Sequence, residues 1–166
     1  MKIFLIGMPG SGKTTLGKDL AAHLFVDFID LDAEIENSER KSIPEIFAQQ
    51  GEEYFRILEA RLLREWAAKT GSFVMATGGG APCFFQGIDT INQNGLSVFL
   101  DCPVSALLER VKKNQERPLL ITMDDAQLKE KLERIRTERL SCYRQAKIII
   151  ENPNLHSLLQ MIHAKN

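Results

Sequence analysis

The chain has 166 residues, a length that suits one domain built on a single core. A hydrophobic fraction of 44% with 26% charged residues is ordinary for a globular protein. The formal net charge of −1 excludes a broad basic footprint for nucleic acid or for a membrane surface, so any anion must be held by local arginine clusters.

The first element is the apolar run "KIFLIG" (2–7), which reads as a strand. It runs directly into "GMPGSGKT" (7–14), which matches the phosphate-loop pattern with a strand before it and a helix after it. Glycines let the backbone turn so that successive amides face phosphate oxygens, and the following helix presents its positive end to the same anion. Gly10, Ser11, Gly12, Lys13, Thr14 and Thr15 are therefore the expected nucleotide-binding residues. Lys13 is expected to reach the β- and γ-phosphates, and the Thr14 hydroxyl to serve Mg²⁺.

Leu16, Leu20 and Leu24 mark the helix after the loop. "FIDLD" (28–32) reads as the second strand, with Asp30 and Asp32 on one face. Asp30 suits the Mg²⁺ shell through water. Asp32 has two readings: it accepts hydrogen bonds from an acceptor hydroxyl and takes its proton, or it caps a helix starting near Ala33. Ser42 reads as the N-cap of a short helix with Pro44 in its first turn. From Phe55, the positions Leu58, Leu62, Leu63 and Trp66 line one helical face, with Gly71 as a C-cap. Arg56 and Glu59 lie three apart on that helix, as an exposed ion pair or as part of a site.

"SFVMAT" (72–77) is the third strand, followed by "TGGGAPC" (77–83), where the triple glycine serves as a bare turn or as a close backbone approach to a ligand. "FFQGIDTINQNG" (84–95) carries no readable pattern. "LSVFLD" (96–101) and "KIIIE" (147–151) are the fourth and fifth strands. Between them lies the polar stretch "KKNQERPLLITMDD" (112–125), then a helix marked by Leu128, Leu132 and Ile135 on which Arg136, Arg139 and Tyr143 recur. Leu155, Leu158, Leu159 and Ile162 mark the last helix. Strands alternating with helices imply an α/β fold with a buried parallel sheet, and ligands at the carboxyl ends of its strands.

Cys83, Cys102 and Cys142 are odd in number, widely spaced and without a CxxC pair, which reads as free thiols in a reducing cytoplasm rather than a zinc site or disulfide framework. No signal-peptide pattern is visible, and no run of about 18 apolar residues exists to span a membrane, so a cytoplasmic location is expected.

Taken together, the phosphate loop, the paired aspartates, "FR" then Glu at 55–59, the triple glycine at 78–80, "RPLL" at 117–120 and "RLSCY" at 139–143 resemble the shikimate kinase family. The resemblance runs from Lys2 to about Ile162 as one domain over residues 1–166. It implies a P-loop kinase fold: a five-stranded parallel sheet of order 2-3-1-4-5 flanked by helices, a substrate-binding segment at about 33–61 and a mobile lid at about 112–124. It also implies ATP and Mg²⁺, phosphorylation of the 3-hydroxyl of shikimate, and a place in aromatic amino-acid biosynthesis. By resemblance, Asp32 binds ring hydroxyls and is the presumed base, while Arg56 and Arg139 grip the substrate carboxylate. Gly78, Gly79 and Gly80 contact substrate through backbone, Phe47 and Phe55 wall the pocket, Arg110 stacks on adenine, and Arg117 reaches the transferring phosphate from the lid.

The charges point the same way: two arginines without a base-reading or lipid-like surface suit a small carboxylate. An ionised Asp32 beside the acceptor disfavours a nucleoside monophosphate, whose accepting oxygen is anionic. Nucleoside monophosphate kinase and gluconate kinase are the alternatives, together with a regulatory module that binds ATP without turnover. A monomer, with no nucleic-acid or membrane partner, is expected.

Overall fold

The apolar run at the start of the chain becomes the middle of a sheet. In the computed structural model, which describes residues 1–113 and 124–165, β1 (Lys2–Ile6) pairs in parallel with β3 (Phe73–Ala76) and with β4 (Leu96–Asp101). β2 (Asp27–Asp30) adds outside β3 and β5 (Ile148–Glu151) outside β4, giving the order β2-β3-β1-β4-β5 with every pairing parallel. Phe4, Leu5 and Ile6 are fully buried. A strand covered on both faces has no polar side to show, which is why β1 and β3 read as continuous apolar runs rather than alternating ones.

The two faces collect separate sets of side chains. Ile3, Leu5, Val98 and Leu100 meet α1 (Lys13–Leu24) and α7 (Leu155–His163) through Leu20, Leu158 and Ile162. Phe4, Ile6, Met75 and Phe99 point the other way, onto α3 (Ile43–Ala68), α4 (Gly87–Asn94), α5 (Val104–Lys113) and α6 (Asp125–Tyr143). Among the described residues, no helix is long and apolar enough to cross a membrane.

Several boundaries differ from expectation, each for a local reason. β2 stops at Asp30, and α2 (Leu31–Glu39) begins at once. Asp30, not Asp32, is the cap: its side chain accepts from the Asp32 amide, so Asp32 sits in the first helical turn rather than on a strand face. Ser42 caps α3 reciprocally with Glu45, with Pro44 in the first turn as expected. The short helix and the one carrying Phe55 join end to end across Gly51, at φ 84° and ψ 172°. Lys69 rather than Gly71 ends that helix. α4 lies in the segment without a pattern; its N-cap, Gln86, stands at φ 59° and offers no side-chain cap. Nothing at its start therefore signals a helix.

The backbone at Gly51 occupies a region open essentially to glycine alone, and another residue there is strained by roughly 1–3 kcal/mol. Gly51→Ala is expected to lower the urea midpoint of unfolding accordingly. An unchanged midpoint would show that the break in α3 carries no such constraint.

Candidate active site

The turn after β1 holds the first half of the site. Gly10 and Gly12 stand at φ +80° and +92°, and Gly12 caps α1 without any side-chain hydrogen bond. The first amides of α1 are thus left to an anion. Lys13 Nζ donates to the carbonyls of Gly7 and Met8 at 2.9 Å each, holding the amine over the loop. Thr14 donates its hydroxyl to Asp30 Oδ2 at 3.0 Å, while Asp30 Oδ1 accepts from the Asp32 amide at 3.1 Å. Hard oxygen donors from Thr14 and Asp30, beside a phosphate cradle, fit Mg²⁺, which keeps most of its own waters.

These groups border a cleft of about 350 Å³, closed on its other sides by Asp32, Thr77, Gly79 and Arg110. A second cavity of about 410 Å³ shares Gly12, Thr15 and Arg110 and opens toward Asp19, Pro153 and Asn154.

The loop after β3 supplies the second half. A Cβ on Gly78 would lie 2.6 Å from Glu59 Oε1 and 2.9 Å from Asp32 Oδ1. On Gly79 it would lie 3.1 Å from Arg139 Nη1, and on Gly80 it would lie 2.6 Å from Arg56 Cζ. None of the three glycines has a positive φ. They are small because charged groups from α2, α3 and α6 press directly on the loop, not because the chain must turn unusually there.

Arg56 Nη1 donates to Glu59 Oε2 at 2.8 Å, and the two side chains are only 11% and 2% exposed. This is no surface pair. Burial pushes the Glu59 carboxyl above its ordinary range, opposed by the neighbouring Arg56, with Asp32 adding to the rise and Arg139 to the fall. Arg56 also lies 4.3 Å from the Phe84 ring centre and 5.1 Å from that of Phe55, which packs on Phe47 at 4.6 Å. α6 is fixed against the loop by Tyr143, fully buried, whose hydroxyl donates to the Gly79 carbonyl at 2.6 Å. Arg136, one turn before Arg139, bonds Asp101 at 2.7 Å and ties the same helix to the end of β4.

Comparison with known proteins agrees with this arrangement. The shikimate kinase family model matches residues 9–163. A shikimate kinase of Bacteroides fragilis is 42% identical over 150 residues, covering 90% of this chain and 83% of that protein. The crystal structure of shikimate kinase from Bacteroides thetaiotaomicron superposes with a TM-score of 0.92 at 36% identity, covering 99% of this chain and 97% of the other. The structure of shikimate kinase from Acinetobacter baumannii in complex with shikimate gives 0.89 at 34% identity, covering 99% and 94%.

The chain belongs to the shikimate kinase family.

A gluconokinase from Sinorhizobium meliloti, at 16% identity and a TM-score of 0.56, shares only the fold.

Within this shikimate kinase fold the expected residues fall into three groups. Gly10, Gly12, Lys13, Thr14, Thr15, Asp30, Asp32, Gly79 and Arg110 border the main cleft, while Ser11 is buried beneath the loop. Arg56, Gly78, Gly80 and Arg139 join them through the contacts at the triple glycine, and Phe47 and Phe55 stack behind Arg56. Arg117 and most of the expected lid, residues 114–123, lie outside the described residues. Glu59 and Phe84 also belong to the site. Glu59 is legible as a helical partner of Arg56, whereas Phe84 stands in the patternless segment. Asp19, Pro153 and Asn154 come from the second turn of α1 and from the turn after β5, outside the motifs.

Gly80→Ala tests the close approach. The added methyl displaces the Arg56 guanidinium, so acceptor affinity is expected to fall at least tenfold, about 1.4 kcal/mol, with ATP affinity unchanged in titration calorimetry. Unaltered acceptor affinity would show that Arg56 does not depend on the loop.

Proposed function

We propose that the chain transfers the terminal phosphoryl group of ATP to the 3-hydroxyl of shikimate, a step in aromatic amino-acid biosynthesis. One observation carries the reading. Asp32, Arg56 and Arg139 converge on the loop at 78–80, beside the phosphate loop, so that one carboxylate and two guanidinium groups adjoin the nucleotide cleft. The relatives' names identify the acid that such a site would take.

The roles follow from the chemistry of each group. Arg56 and Arg139 hold the acceptor's carboxylate, the anion that guanidinium binds in bidentate fashion. Arg56 keeps donors for this while Glu59 fixes its Nη1 side, because a guanidinium carries five N–H groups. Asp32 accepts from the attacking hydroxyl, orients its oxygen and takes its proton; the loose transition state asks more for alignment than for strong base catalysis. The backbone of Gly79 and Gly80 approaches the ring where no side chain stands between. The amides at the start of α1, Lys13 and, from the lid, Arg117 neutralise charge on the phosphates. Thr14 and Asp30 would hold Mg²⁺, which supplies further neutralisation of phosphate charge. The second cavity, edged by Arg110, Pro153 and Asn154, is the place for the adenine.

Phosphoryl transfer competes with hydrolysis, so the lid serves to exclude water once both substrates are bound. On this reading the protein works as a monomer in the cytoplasm, where ATP is supplied. An anionic acceptor oxygen such as that of AMP would meet Asp32 as a like charge.

A coupled ADP-release assay with shikimate, gluconate and AMP side by side is expected to show turnover with shikimate alone. Comparable rates with either competitor would overturn the assignment. In the same assay Asp32→Asn is expected to lose about 10²-fold or more in kcat, while ATP binding stays intact. Near-normal turnover of that variant would remove Asp32 from the reaction.

A further inference from the structure

Gly79 is the residue at which the two halves of the site touch. A Cβ there would lie 3.1 Å from Arg139 Nη1 on one side, and on the other 3.4 Å from Pro9 Cδ and 3.6 Å from the Gly7 carbonyl oxygen. The middle glycine of the loop is thus a spacer between the phosphate loop and α6. Its neighbours' carbonyls are held by the loop itself. Gly78 accepts from the Ala81 amide at 3.1 Å, and Gly80 from the Cys83 amide at 2.8 Å. The Gly79 carbonyl, between them, is instead taken up by a side chain from another element, the Tyr143 hydroxyl at 2.6 Å.

Tyr143 is built to keep that bond. It ends α6 one turn after Arg139, so the two side chains share a helical face. Its fully buried ring packs on Phe99 of β4, with ring centres 5.1 Å apart. Burial pushes the phenol above its ordinary range, so the hydroxyl keeps the proton that it donates. Because a peptide unit is planar, a held Gly79 carbonyl also fixes the direction of the Gly80 N–H on its opposite edge.

We propose that Tyr143 is a positioning residue for the acceptor: by occupying the Gly79 carbonyl it fixes the loop and leaves the Arg139 guanidinium free to take the acceptor's carboxylate.

The reason is competition for a donor. A carbonyl that loses its hydrogen bond away from water must find another. Arg139 Nη1 already stands at the same glycine. Without the hydroxyl, the Gly79 peptide turns toward that guanidinium, and the arginine is drawn onto the backbone at the expense of its ligand. The phosphate loop is held by its own bonds, from Lys13 to Gly7 and Met8 and from the Ser11 amide to Met8, so the nucleotide half is spared. The kinetic part of this inference rests on the proposed role of Arg139, whereas the fixing of the loop does not.

The test is Tyr143→Phe, which keeps the ring against Phe99 and removes only the hydroxyl. In ¹H–¹⁵N spectra of the free protein, the amide signals of Gly79 and Gly80 are expected to move while those of β1 stay in place. Unmoved glycine signals would overturn the proposal whatever the acceptor proves to be. In steady-state assays the KM for shikimate is expected to rise about tenfold, with kcat and the ATP KM changed by less than about twofold. A tyrosine with a merely structural role would lower the melting temperature and leave that KM alone, which would refute the link to the acceptor. A double-mutant cycle separates the route: in an Arg139→Ala background, Tyr143→Phe is expected to cost less than about twofold in kcat/KM. A full tenfold cost there would show that the hydroxyl does not act through Arg139. Failure of the wild-type protein to phosphorylate shikimate would refute the functional reading by itself, and the amide signals would still decide whether Tyr143 fixes the loop.

Discussion

Side chains from α2, α3 and α6 reach one short loop after β3, and they can do so only because residues 78–80 carry no side chains of their own. Glu59 and Asp32 approach Gly78, Arg139 approaches Gly79, and Arg56 approaches Gly80. A methyl at any of these positions would meet a charged group closer than ordinary van der Waals contact allows. The sheet fixes where the loop starts, since β3 lies beside β1 and in register with it. The acceptor half and the nucleotide half are thus held at one distance by neighbouring strands.

The charges gathered there are balanced without being neutralised one by one. Arg56 is paired with Glu59 in a nearly buried bond, and such a pair does little for net stability, because desolvation offsets its attraction. Its value lies in direction. A guanidinium held on one side by Glu59 and flanked by the Phe55 and Phe84 rings has few other orientations to adopt. Tyr143 does for Arg139 what Glu59 does for Arg56: its bond to the Gly79 carbonyl fixes the helix one turn beyond the arginine. Under the proposed assignment, specificity for a small acid comes from preorganised donors rather than from the size of the pocket.

The sheet and the phosphate loop were open to reading from residues alone, for a physical reason. A strand buried on both faces leaves an unbroken apolar run, and a phosphate cradle needs glycine, lysine and threonine at set spacings. Strand order and the pooling of site residues came from family resemblance, since spacing along the chain does not say which strands are neighbours. Other features were hidden. The boundary between β2 and α2 falls inside "FIDLD" because Asp30 caps the next helix, and nothing in the alternation reveals a cap at the end of a strand. The helix at Gly87–Asn94 starts without a capping side chain. The triple glycine is ambiguous by nature, since a residue chosen for lack of bulk looks the same as one chosen for freedom of φ.

The most direct test of the account is a crystal structure of the protein with shikimate and a non-hydrolysable ATP analogue. It is expected to show the acid's carboxylate between Arg56 and Arg139, its ring against the backbone of Gly79 and Gly80, and its 3-hydroxyl on Asp32 facing the terminal phosphate. An acid bound away from the loop at 78–80, or a 3-hydroxyl turned from Asp32, would contradict it.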